Sequence, residues 1–82
     1  RKAIEYYKDA LKIDPSDTIV LYNLASCLVE KGLWEEAKIY LEKLLAIESQ
    51  NSDAWILLGN IYEHLSRPNK AIDCFNHSLG LA

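Results

Sequence analysis

Shifted by 34 residues, the chain lies over itself, and no other feature narrows its possible folds as far. "EEAKIYLEKLLAIE" falls on "NKAIDCFNHSLGLA" and, in the other direction, on "KAIEYYKDALKID". Ala3, Ala37 and Ala71 coincide, as do Leu11, Leu45 and Leu79. Tyr7, Leu41 and Phe75 share a position, and Ile13, Ile47 and Leu81 share another. The same shift brings Leu21 to Trp55, Leu24 to Leu58, Ala25 to Gly59 and Leu28 to Tyr62. A fixed period of this length marks stacked copies of one supersecondary unit, each too small to bury its apolar face alone.

The unit is helical. Apolar residues recur at spacings of three and four almost throughout, and no alternating Val/Ile/Thr-rich run suggests a strand. The pattern predicts five helices at about 1–14, 18–31, 34–48, 53–65 and 68–81. Pro15 stops the first, and Asp17 is placed to cap the second. Gly32 supplies a left-handed stop, followed by Glu35 and Glu36 where a helix N-terminus favours anions. Asn51 or Ser52 caps the fourth helix, and Pro68 suits the first turn of the fifth. Such short connections require consecutive helices to pack antiparallel.

Eighty-two residues allow one small domain, and half of them are hydrophobic, so the chain is no disordered tail. A net charge of −3 argues against a nucleic-acid partner, which needs clustered Lys and Arg. No apolar run is long enough to span a membrane, and no signal peptide is visible. Cys27 and Cys74 carry no pairing signature and are expected to be buried free thiols, which points to the cytoplasm or nucleus. The sequence opens at Arg1 in mid-pattern, as expected of an excerpt from a longer protein.

Trp55, Leu58, Gly59, Tyr62, Ala71 and Phe75 stand at the spacing of the tetratricopeptide repeat, a helix–turn–helix unit of 34 residues, which the chain resembles along essentially its whole length. Leu21, Leu24, Ala25, Leu28, Gly32, Trp34 and Ala37 form the copy before it. Ala3, Tyr7, Ala10 and Pro15 match the second helix of a still earlier one. The expected organisation is a partial repeat over 1–17, a complete repeat over 18–51 and a near-complete one over 52–82. The departures are local: Ser49 replaces a closing Pro, while Ser66 and Pro68 replace the turn Gly and the aromatic after it. The resemblance implies an all-α, right-handed solenoid of antiparallel helix pairs, with the first helix of each pair lining an inner groove.

Gly59 lies inside the apolar run "WILLGNIY", where a glycine costs a helix about 0.5–1 kcal/mol against Ala. A phosphate-binding role needs several glycines between a strand and a helix, and this one stands alone. Its repeat equivalent is Ala25, so the position is read as one that needs small size for helix packing. Cys74 and His77 share a helix face, but no second pair accompanies them to complete a zinc site. No nucleophile, base and orienting group converge, and Glu35 and Glu36 point apart as adjacent helix residues. A non-catalytic chain with no cofactor and no metal is expected.

Helical phase then places Ile19, Tyr22, Asn23, Ser26, Val29 and Glu30 on the groove side of the second helix. Asp53, Ile56, Asn60 and Glu63 take the matching places on the fourth. Ile19, Tyr22, Val29 and Ile56 are apolar yet not required by the core pattern, as at an interaction surface or an inter-helix edge. Asn23 and Asn60 suit the backbone of an extended ligand, having both donors and acceptors. Repeats of this family that clamp the carboxylate tails of heat-shock chaperones place an Asn on their middle inner helix, where Asn23 stands, but Lys and Arg on the next, where this chain has Asp53 and Leu57. Reading the fourth helix as the first of such a set instead matches Asn60, but Ile56 replaces its Lys. An acidic residue such as Asp53 repels such a tail.

The expected function is a scaffold for a peptide or helix of another protein, without nucleic-acid or membrane partners. The alternatives are an element that stacks or self-associates within a large assembly, or the substrate-docking arm of an enzyme. Leu79 and Leu81, uncapped at one end, predict an isolated segment that is marginally stable or self-associates.

Overall fold

Helix starts and stops are set by a few local groups, and they repeat. The computed structural model describes residues 2–80. These form α1 (Lys2–Ile13), α2 (Thr18–Glu30), α3 (Trp34–Ile47), α4 (Ser52–His64) and α5 (Pro68–Ser78). The Asp17 carboxylate caps α2 by accepting from the N–H groups of Ile19 and Val20 at 3.1 and 3.2 Å. At the equivalent position Asn51 caps α4, its Oδ1 accepting from Ala54 N–H at 3.0 Å. Pro68 occupies the first turn of α5, where its missing N–H is harmless.

The turns within the two complete helix pairs are the same motif built from different residues. Gly32 has φ +76°, its N–H bonds to Val29 O, and Leu33 N–H reaches back to Leu28 O, both at 2.9 Å. One repeat later Ser66 adopts φ +60°, bonds to Glu63 O at 3.1 Å, and Arg67 N–H reaches Tyr62 O at 2.8 Å. The missing turn glycine has therefore left the geometry intact and placed a side chain in the left-handed region. The α5 helix ends three residues before its predicted limit because Gly80 turns the chain at φ +76°. Leu81, expected to be exposed, lies outside the described residues.

The helices stack in sequence order, each packed antiparallel on the next, and α2 also touches α4. Leu21, Leu24 and Leu28 of α2, Leu41 and Leu44 of α3 and Ile61 of α4 are the largest fully buried side chains. Each contributes about 1.5–3 kcal/mol by leaving water. Ala37 and Ala71 are buried where small size is needed, but Ala3 is exposed. Ala3 is uncovered because among the described residues no helix lies on α1 as α2 lies on α3. Leu79, at the position where Leu45 is buried, is likewise 70% exposed.

Gly59 of α4 meets Phe75 of α5 directly. A Cβ built there would stand 2.5 Å from Cε1 of Phe75 and 2.9 Å from two further ring atoms. One repeat earlier the same two positions hold Ala25 and Leu41, both fully buried. The chain has exchanged an Ala–Leu pair for a Gly–Phe pair. The outer helices show a second exchange: Lys8 of α1 pairs with Glu36 of α3 at 2.8 Å, and the next copy of these positions is Glu42 and Lys70. The hydrogen bond to Glu36 raises the Lys8 pKa above the usual lysine value.

Cys74 is buried, but Cys27 is only partly covered, so the expectation of two buried thiols holds for Cys74 alone. Burial first, and the neighbouring Asp73 charge second, push the Cys74 thiol up to about 11. No helix among the described residues is long and apolar enough to cross a membrane.

Candidate interaction groove

Burying Leu21, Leu24, Ala25 and Leu28 of α2, and Ala54, Leu58, Gly59 and Ile61 of α4, turns the opposite faces of both helices outward. The residues anticipated for the groove differ in how far these faces expose them. Ile19 is 72% exposed and Ile56 43% exposed, and Asp53, Asn60 and Glu63 are also open to solvent. Asn23 and Ser26 are half-buried. Tyr22 and Val29 are half-buried and pack against the core, so part of their role is structural.

Ile19, Tyr22, Asn23 and Asp53 come together around a depression of about 320 Å³ completed by Thr18, Glu48 and Asn51. Ser26, Val29, Ile56, Asn60 and Glu63 are not part of its wall and continue the two faces beyond it. Thr18, Glu48 and Asn51 are members that helical phase did not identify, and Glu48 joins the other two. Its carboxylate accepts from Asn51 Nδ2 at 3.0 Å and from Thr18 Oγ1 at 2.8 Å. These bonds, the Asn51 bond first, hold its pKa below the ordinary Glu value. Asn51 thus fixes Glu48 through its amide nitrogen while capping α4 through its oxygen. The only sequence signal was the period itself, since Glu48 repeats Asp14, whose carboxylate binds Ser16.

On the opposite side, a furrow of about 430 Å³ runs between α3 and α5 over Leu45, Trp55, Leu58 and Tyr62. His77 stacks on Trp55 there, with ring centroids 4.2 Å apart and planes 20° from parallel. The Trp55 Nε1–H donates to the carbonyl of Ser49 at 2.9 Å, tying α4 to the loop before it. His64 stacks on Trp34 in the same manner, at 4.0 Å and 7°. Neither stack follows from periodicity, because each joins a helix to a residue more than twenty positions away. Among the described residues no three His, Cys, Asp or Glu side chains gather as a metal-binding group.

Comparison with known proteins agrees with this architecture. Two tetratricopeptide repeat family models match, over residues 1–44 and 40–73. The general transcriptional corepressor trfA of Dictyostelium discoideum is 30% identical over 95% of this chain, which spans 6% of that protein. Anaphase-promoting complex subunit 3 of Schizosaccharomyces pombe is 28% identical over 92% of the chain, which spans 11% of that protein. The crystal structure of MamA superposes with a TM-score of 0.91 at 27% identity, covering 95% of this chain and 46% of MamA. The chain belongs to the tetratricopeptide repeat family and folds as a right-handed all-α solenoid of antiparallel helix pairs.

Proposed function

We propose that the chain is a protein-interaction scaffold that holds a segment of a partner protein against the outward faces of α2 and α4. The observation that carries this reading is the pairing of exposed Ile19 and Ile56 with the depression between the two helices. Apolar side chains beside fixed polar groups give a ligand both burial and orientation. Asn23 and Asn60 supply donors and acceptors for its backbone. In this reading the repeats run over 1–17, 18–51 and 52–82. Two relatives are named as a corepressor and as a complex subunit, which fits a module that works through other proteins.

Ile56→Ala with Asn60→Ala is the clean test, because both side chains are exposed and neither supports the core. Partner capture is expected to fall about tenfold while the melting temperature stays within about 2 °C. Ile39→Ala with Ile72→Ala, on the exposed faces of α3 and α5, is expected to leave capture unchanged. Loss of capture from the second pair and not the first would contradict the proposal. A second reading, stacking through the solenoid ends, rests on the exposure of Leu79. It is separated from the first by whether Leu79→Lys abolishes association while Ile56→Ala does not.

A further inference from the structure

Charge is divided between the segments that carry α2 and α4 and the rest of the chain. Residues 14–30 and 48–64, which are repeat equivalents and include α2 and α4, hold six carboxylates and no Lys or Arg. All nine Lys and Arg residues lie elsewhere, beside the other six carboxylates. The ion pairs among the described residues, Lys8–Glu36, Lys12–Asp9 and Lys38–Glu35, all lie on α1 and α3. Asp14 and Asp17 are occupied locally, on Ser16 and at the α2 cap. Glu30, Glu48, Asp53 and Glu63 have no cationic partner among the described residues, and Glu48 is held in place by Thr18 and Asn51.

From this separation we infer that the occupant of the α2–α4 face is an extended, cationic segment, with Lys or Arg side chains set between apolar ones. The apolar side chains lie on Ile19 and Ile56, and the cations face Glu48, Asp53 and Glu63. The inference rests on the groove reading and adds to it the charge of the ligand. A face with uncompensated anions attracts cations in solution and selects against acidic segments, since like charges brought together are costly. The exposed isoleucines argue for apolar anchors in the same segment, because a purely polar ligand leaves them in water. Carboxylates on open helix faces act partly through solvent, so the preference depends on salt.

The test is a titration of the isotope-labelled full chain, followed by amide NMR. Three short peptides with blocked ends share the same leucines and carry Lys, Gln or Glu between them. At about 10 mM salt, where screening extends to about 30 Å, the Lys peptide is expected to bind about tenfold more tightly than the Gln peptide. It is expected to shift the amides of Ile19, Asn23, Asp53 and Ile56. At about 0.15 M salt the advantage is expected to shrink severalfold. Asp53→Asn with Glu63→Gln removes two charges without altering shape and is expected to cut the advantage to about threefold or less. Asp53→Asn alone, checked by circular dichroism, serves if the pair fails to fold.

Gln or Glu peptides that bind the same amides equally well overturn the cationic assignment and leave the groove reading standing. Peptide-induced shifts confined to α3 and α5, or no shifts with any peptide, overturn both. Concentration-dependent shifts of the α2 and α4 amides without peptide assign the face to a second copy and also overturn the inference.

Discussion

Gly59 is best understood at the scale of two side chains. Adding a methyl group there improves helix propensity by about 0.5–1 kcal/mol. It also drives the new Cβ into the Phe75 ring, and overpacking of this kind costs about 1–3 kcal/mol. Gly59→Ala is therefore expected to lower stability by about 1 kcal/mol in denaturant unfolding. Gly59→Ala with Phe75→Leu, which recreates the Ala25–Leu41 pair, is expected to recover most of that loss. A stabilising single substitution would show that the close approach is not a constraint. The need for a small residue was legible from its alignment with Ala25, but the reason for glycine was not. It depends on a ring 16 positions later, and only the packed geometry brings the two together.

Cysteine chemistry separates at the same scale. With Cys74 buried and its thiol pushed up to about 11, only about one molecule in a thousand carries the thiolate at pH 8. Cys27 is expected to react readily with a thiol reagent under native conditions, and Cys74 only after unfolding. The raised value stabilises the protonated folded form below about pH 9, and this contribution is lost as pH rises toward 11. Cys74→Ala is expected to flatten that alkaline decline in stability. Equal labelling of both thiols in the native protein would contradict the packing described for α5.

At the scale of an element, the stops decide how well each hairpin is fixed. Gly32 and Ser66 close the same motif, but serine bears the cost of a side chain at positive φ, about 1 kcal/mol. Ser66→Gly is expected to raise stability by about 0.5–1 kcal/mol, and Gly32→Ala to lower it by a similar amount, in paired thermal melts. Opposite signs at two equivalent positions are the signature of one backbone requirement. Helix positions and caps were readable because they depend on residues three or four apart: Asp17, Asn51, Gly32 and Pro68 all act where expected. The stacks of His64 on Trp34 and His77 on Trp55 were not, since they join separate helices through side-chain direction.

Across the whole molecule, burial follows the stack. Ala37 and Ala71 are covered and Ala3 is not; Leu45 is covered and Leu79 is not. Sequence identity cannot distinguish these copies, because coverage comes from neighbouring helices and not from the residue. The same limit applied to the groove. Helical phase put Ile19, Tyr22, Asn23, Asp53, Ile56 and Asn60 on outward faces, but the loop-borne Glu48 entered the depression through Thr18 and Asn51. With Leu79 70% exposed, the chain is expected to self-associate in sedimentation experiments, and Leu79→Lys to shift it toward monomer. A concentration-independent monomer before substitution would contradict that expectation.

The claim that α2 and α4 carry the ligand face is tested most directly by photo-crosslinking from defined positions. A photoreactive side chain at Ile56 reports on that face, and one at Ile39 on α3 reports on the opposite side; both sites are exposed, so neither should disturb folding. A partner bound to the full chain is expected to crosslink from position 56 and not from position 39. Crosslinks from 39 with none from 56 would contradict the account.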